Sequence, residues 1–424
     1  MPETTPRALR GRLLSFGPGE THLYEPDGVI VIEAGTIAAV GPWQDTVLPP
    51  GTVVEDHGAK LIMPGFIDPH IHYPQCRMIA SYGAQLIAWL DRYTFPAEQK
   101  FADPAYAESE AAWFLDELLR QGTTTACVYC TVHPESVEAF FTESERRGTC
   151  MIAGKVMMDR NAPAGLCDDA ASGFTQSEAL LRRWHGRGRQ LYAITPRFAI
   201  TSSPAQLQSA GALARAYPDA YVQTHLAENL AEIAEVRRLY PDDASYTAVY
   251  ARAGLLGPRS LLGHCIHLGE DELTLLRENS AVAVFCPTSN LFLGSGLFDW
   301  ARLAGAGVRV GLATDVGGGT SYSMLRTAAE AYKVLQLRGQ ALPAFAAFRA
   351  ITRGNAEALR LEGRIGSLIP GYDADLVVLD TAATPAMRHR LEAVGDSLAD
   401  ELFMLMTMGD DRAVAATYVA GCRC

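Results

Sequence analysis

Between about residue 65 and residue 315 the chain repeats one pattern, a short apolar run followed by an amphipathic stretch. The runs are "GFIDPHIH", "TTTACVYC", "CMIAGKVM", "LYAITPRF", "AYVQTHLA", "SLLGHCIH", "AVAVFCP" and "VRVGLATD". Each is short enough for a buried strand and too short for a core helix. Stretches such as "ESEAAWFLDELLRQG" and "NLAEIAEVRRLY" lie between them with helical periodicity. Strands alternating with helices read as parallel βα units, because a parallel pair needs a long crossover. Eight such units predict an α/β fold, the (β/α)8 TIM barrel, whose active sites sit at the carboxyl ends of the strands.

The two ends of the chain read differently. "DGVIVIEAGTIAAVGP" near the start and "GSLIPGYDADLVVLD" near the end alternate turns with β-branched runs. They predict a small β-sandwich domain built from both termini, residues 1–65 and 366–424, around a barrel at 66–365. The net charge of -12, with no basic run, argues against nucleic acid or an anionic membrane as partner. Nine cysteines, an odd number without a framework, suit a reducing compartment. The opening "MPETTPRALRGRLLSF" has no apolar signal core, and no run is long enough to span a bilayer. The expectation is a cytoplasmic protein.

Costly polar residues collect where the barrel would place its site. His70 and His72 end the first strand, Arg197 the fourth, His225 the fifth, His264 the sixth and Asp315 the eighth. A buried strand has no structural reason to end repeatedly in groups so expensive to desolvate. Residues i and i+2 of a strand share a face, so His70 and His72 can chelate one ion. His225 and Asp315 complete a set of three imidazoles and a carboxylate, which suits zinc or iron(II) and leaves room for a water. Glu228, three residues after His225, stands where it can move protons beside the metal without binding it.

Other residues resemble sites without making them. "CVYCTVH" offers Cys127, Cys130 and His133. Zinc deaminases of another fold use H-x-E followed by P-C-x-x-C, and here the order is reversed. A c-type haem motif needs His directly after the second Cys. Both cysteines are therefore read as buried strand residues. The fourth strand carries no Lys, and Lys155 falls on the third.

"PGFIDPHIHYPQ", "WLDRYTFPAE", "GKVMMDRNAP", "TPRFAITSS", "THLAEN", "GHCIH", "CPTSNLFLGSG" and "ATDVGGGTSYSM" resemble, in this order, the blocks of the amidohydrolase superfamily. "HYPQ", "YTFPAE" and "TPRF" are similar to its guanine-deaminating branch. The likeness runs from about residue 25 to about 420. It implies a homodimer of metal-dependent barrels and zinc on His70, His72, His225 and Asp315. Binuclear members typically bridge two metals with a Lys on the fourth strand, so the likeness, without that Lys, implies one metal per chain. It implies proton transfer by Glu228, orientation of the attacking hydroxide by His264, and contacts to the purine from Gln75, Arg197 and Phe198, with His225 beside them. Pro74 would turn the chain so that Gln75 meets the base. Trp89, Tyr93 and Phe95 are candidates for pocket walls or for plain packing.

The chemistry of the base is consistent with that implication. Guanine presents two acceptors, O6 and N7, and Arg197 has five donors and no acceptor. The amino group of adenine would meet it with the wrong polarity. The implied reaction is hydrolysis: zinc activates a water, Asp315 accepts its proton, Glu228 protonates the ring nitrogen beside C2, and ammonia leaves to give xanthine. Two alternatives stay open at this level. One is deamination of another aminated heterocycle, such as a pterin, cytosine or a modified adenine. The other is a non-catalytic barrel scaffold, in which metal ligands are typically lost.

Overall fold

A computed structural model describes residues 6–19, 21–82 and 85–424. The first five residues of the polar opening stretch lie outside the described residues. Eight strands form the expected barrel: Phe66–His72, Thr123–Tyr129, Cys150–Gly154, Leu191–Pro196, Tyr221–Leu226, Ser260–His264, Val282–Phe285 and Arg309–Leu312. They pair in chain order, and every pair is parallel. A further two-residue strand, Val156–Met157, continues the third strand's path and pairs with Thr195 and Pro196. All but four of the residues in these eight strands are buried, which is why their sequences read as continuous apolar runs rather than alternating ones.

The ring closes just beyond the paired part of the eighth strand. The Asp315 amide donates to the His70 carbonyl at 2.9 Å, and the His72 amide to the Val316 carbonyl at 2.6 Å. Beneath this seam the buried Asp68 carboxylate accepts from the Thr314 amide at 3.2 Å and from the Thr314 hydroxyl. Closure and site therefore share the same few residues.

The helices start where local chemistry dictates. Asp103 caps Pro104–Arg120 by accepting from the Ala105 amide, with Pro at the first helical position. That helix buries Ala107, Ala111, Phe114, Leu115 and Leu118 at helical spacing and packs along the second strand.

Both termini contribute to one seven-stranded mixed sheet. Its order is Cys422–Arg423, Val414–Val419, Leu376–Leu379, Val53–Pro64, Arg7–Phe16, His22–Glu33, Thr36–Pro42. The sheet curls on itself, since the Ile37 amide reaches the Tyr372 carbonyl at 2.8 Å and the Gly371 amide returns to the Ile37 carbonyl at 2.8 Å. Leu9, Ile30, Ile62, Leu376 and Val378 fill the space it encloses. The carboxyl-terminal segment also carries two helices, Pro385–Glu392 and Leu398–Met408, that its β-rich reading did not include. The second buries Leu402, Leu405 and Met406 and packs against the helix Met324–Leu337. Burial against the barrel stabilises "LADELFMLMTM" as a helix.

Arg189, just before the fourth barrel strand, ties the barrel to this sheet. Its guanidinium binds Asp375 (Nη1 to Oδ1, 3.0 Å) and lies 2.9 Å from Asp373, with little of either side chain exposed. Removing one partner of a buried pair leaves an uncompensated charge. Asp375→Ala is expected to cost about 3 kcal/mol or more, read as a lowered Tm in thermal unfolding by circular dichroism. An unchanged Tm would show that the pair contributes nothing to holding the two parts together.

Candidate active site

The first strand places His70 and His72 on one face, and the fold brings the other expected groups to them. Asp315 Oδ1 lies 3.3 Å from Nε2 of His70 and 3.3 Å from Nε2 of His72. His225 Nε2 lies 3.3 Å from His72 Nε2. One donor atom from each of His70, His72, His225 and Asp315 fits within 4.8 Å of every other. Both ring nitrogens of His70 are fully buried without a hydrogen-bond partner, so its approach to Asp315 is electrostatic contact rather than a formed hydrogen bond. Buried polar atoms rarely stay unpaired, and a cation among these four side chains would take one of the two His70 ring nitrogens as a ligand. The residues present therefore fit a metal.

Their protonation fits as well. Burial lowers His72 to about 3 and His225 well below the ordinary histidine value, and neighbouring imidazoles push the same way. Neutral imidazole is the form that ligates. Burial opposes the charge of Asp315, but contact with His70 and His72 outweighs it and holds the carboxyl well below its usual range. The His225 orientation is fixed from behind, where its Nδ1 lies 2.7 Å from the Arg197 carbonyl.

The strand-to-helix turn "THLAEN" places Glu228. Ala227 takes a left-handed conformation (φ 51°), and Asn229 caps Leu230–Leu239. The buried Glu232 carboxylate accepts from the Glu228 amide at 2.8 Å and from the Asn229 amide at 3.1 Å. Glu228 is thus held rigidly just ahead of a capped helix. Its carboxyl accepts from the Ser295 hydroxyl at 2.9 Å and lies 3.4 Å from His264 Nε2. Burial, then the charge of Asp315, pushes it up to about 8. His264 Nδ1 lies 2.9 Å from Asn290 Oδ1, which can only accept, so Nδ1 carries the proton and Nε2 faces the acids. His264 (φ 72°) and Asp315 (φ 52°) both hold left-handed backbone, a conformation costing on the order of 1 kcal/mol or more for each.

A pocket opens above this cluster. Gln75, Trp89, Arg197 and Phe198 line it, together with His225 and Glu228. Gln75 comes from a 3-10 turn, Tyr73–Met78, with Pro74 in its first turn. Of the three aromatics weighed as walls, Trp89 lines the pocket. Phe95 lies behind it, with its ring centroid 5.9 Å from the Arg197 guanidinium carbon, and Tyr93 packs against the core. Cys127 and Cys130 are buried with thiols pushed well up by burial, as strand residues would be. Lys155 is buried at the end of the third strand, bound by Asp168 and by the Val156 carbonyl.

The sequence reading did not single out Glu98, Asn290, Ser295 and Tyr129. Glu98 is 1% exposed and accepts from both Arg197 and Gln75. Tyr129 ends the second strand and stacks on His72 at 4.3 Å between centroids. Glu98, Asn290 and Ser295 all lie inside the motifs "YTFPAE" and "CPTSNLFLGSG", so the signal was present without a partner to give it meaning.

The sequence matches the Amidohydrolase family over residues 61–423. It is 49% identical over 397 residues to a guanine deaminase of Escherichia coli (strain K12), covering 93% of this chain and 90% of that protein. A guanine deaminase of Homo sapiens is 31% identical over 376 residues, 85% of this chain and 82% of that one. Among solved structures, an E. coli guanine deaminase superposes with a TM-score of 0.97 at 46% identity over 99% of both chains. A guanine deaminase from C. acetobutylicum with guanine bound in its active site superposes at 0.89, with 29% identity, over 99% of this chain and 100% of that one.

One backbone position tests the rigidity of the cluster. A Cβ on Gly263, in the sixth strand, would stand 2.6 Å from His70 Cε1. Gly263→Ala should displace the imidazole and weaken metal affinity by about tenfold or more, as changes behind metal ligands typically do. Titrating metal-free protein with the ion checks this, and wild-type affinity would mean that His70 is not held as described.

Proposed function

We infer the reaction from one premise: the chain belongs to the amidohydrolase family. It catalyses the hydrolytic deamination of guanine to xanthine and ammonia. The observation that best supports this assignment is the convergence of a buried His–Asp cluster, a protonatable Glu228 and the Arg197–Gln75 pair on one pocket.

In our reading His70, His72, His225 and Asp315 hold a single zinc, for which three imidazoles and a carboxylate are suited; iron(II) is the other ion that fits this donor set. Zinc held there would supply Lewis acidity that lowers the pKa of a nearby water to about 7. Asp315, which is ionised in this site, accepts the proton of the attacking water. His264 presents Nε2 between Glu228 and Asp315 and orients that water. Glu228, protonated near neutral pH by its dry surroundings, donates to the ring nitrogen beside C2. The water oxygen then bonds to C2. The exocyclic nitrogen takes the proton held by Asp315, the C2–N bond breaks as the C2 hydroxyl returns its proton to Glu228, and ammonia leaves xanthine with a C2 carbonyl. Arg197 offers donors to O6 and N7, Gln75 a mixed donor and acceptor edge, and Phe198 and His225 flank the ring.

One metal is favoured because the buried Lys155 already has Asp168 as its partner and stands just past the third strand, not on the fourth. Among the described residues no helix is long and apolar enough to cross a membrane. A cytoplasmic homodimer acting on a small purine is the setting we assign, on the family resemblance, with neither nucleic acid nor membrane as partner.

Incubation with guanine should yield xanthine and ammonia in equal amounts by chromatography, and their absence from metal-replete protein would defeat the assignment. Elemental mass spectrometry should find about one zinc per chain, as four ligands imply. The two acids should separate. Glu228→Gln should keep its zinc and lose about 10²–10⁴-fold in turnover, whereas Asp315→Ala should lose zinc and turnover together. Equal loss of zinc from both would make Glu228 a ligand instead.

A further inference from the structure

We propose that Glu98 is the positioning residue that sets the specificity of the base pocket, acting through Arg197 and Gln75 without touching substrate. The proposal rests on the guanine reading above. Glu98 ends the short helix Phe95–Glu98, part of a continuous helical stretch from Leu86 to Ala102. Its carboxylate is among the most buried of the chain and lies behind the pocket rather than on its wall. Both oxygens accept from Nη1 of Arg197, each at 2.8 Å, and Oε1 also accepts from Nε2 of Gln75 at 3.1 Å.

These contacts decide which donors remain. Nη1 is turned toward Glu98, where it approaches both carboxylate oxygens, so this is the nitrogen committed to the carboxylate. Nε and Nη2 of Arg197 make no hydrogen bond among the described residues, and together they form the flat two-donor edge of a guanidinium. That edge matches two neighbouring acceptors, the arrangement that O6 and N7 of guanine present. Gln75 is fixed in the same way. Its Nε2 points to Glu98 while its Oε1 accepts from the Gly317 amide at 3.2 Å, so the amide cannot flip without losing both bonds. Phe95, three residues before Glu98, backs the guanidinium at 5.9 Å. One turn of helix thus supplies the ring behind the guanidinium and the carboxylate that orients it. The carboxylate also balances the charge of Arg197, so the pocket suits an uncharged base rather than an anion.

The test compares guanine with 2-aminopurine, which keeps N7 and the 2-amino group but lacks O6. On zinc-replete enzyme, wild type should prefer guanine in kcat/KM. Glu98→Gln keeps the size but removes one acceptor and the charge. Its ratio of guanine to 2-aminopurine kcat/KM should fall by about tenfold, the value of a lost charged hydrogen bond, mostly through a raised KM for guanine. Glu98→Asp keeps the charge but is one methylene too short to hold both partners, so its ratio should fall between the two. A proportionate fall on both substrates would assign Glu98 a purely structural role and overturn the proposal, as would an unchanged ratio. Should Glu98→Gln fail to fold, Glu98→Asp decides alone, and a wild-type ratio there overturns it. Failure of wild type to release ammonia from guanine would instead defeat the guanine reading itself, a result visible before any variant is made.

Discussion

The seam that closes the barrel is the constraint on which the rest depends. The hydrogen bonds from Asp315 to the His70 carbonyl and from His72 to the Val316 carbonyl join the first strand to the segment after the eighth. The same residues supply three of the four side chains grouped closely enough to hold a metal. A barrel that closed one residue out of register would turn His70 and His72 onto the opposite face. Closure and ligand geometry are therefore one event. Asp68, fully buried beneath the seam and held by Thr314, ties the two sides together from the core.

Gathering so many ionisable groups in a dry site is costly, and the structure offsets that cost in two ways. Some groups are pushed toward their neutral forms: burial lowers His72 and His225 and raises Glu228. Others are charged in pairs, as Arg197 with Glu98 and Lys155 with Asp168. The division is chemically useful. A neutral imidazole can ligate, a protonated carboxyl can donate, and the carboxylate that stays ionised, Asp315, is the one at the centre of the His cluster. The left-handed backbone at His264 and Asp315 is a further cost accepted at the site.

Much of this was legible in the chain before it was folded. The βα alternation fixed the class of fold, because a parallel strand buried on both faces has to be apolar throughout and has to be followed by a crossover. His-x-His at a strand end was readable because a period of two puts both rings on one side. Arg197, His225, His264 and Asp315 were readable because each interrupts an apolar run at its carboxyl end, where a barrel has its mouth. The helix Leu398–Met408 was less readable, since its apolar residues acquire a face only when Met324–Leu337 lies against them.

Glu98 marks the boundary between the two kinds of information. In sequence it is an acid at the end of "YTFPAE", ordinary for a helix surface. Only in the folded chain does it become a buried carboxylate between Arg197 and Gln75, residues 99 and 23 positions away along the chain. Asn290, Ser295 and Asp68 are similar, each defined by a partner distant in sequence. Local pattern determined which elements form and which residues stand at their ends, because periodicity and desolvation act on neighbours. Tertiary structure decided which polar groups meet, because a charge or hydrogen bond in a dry interior depends on distance in space, and the chain alone does not carry that distance.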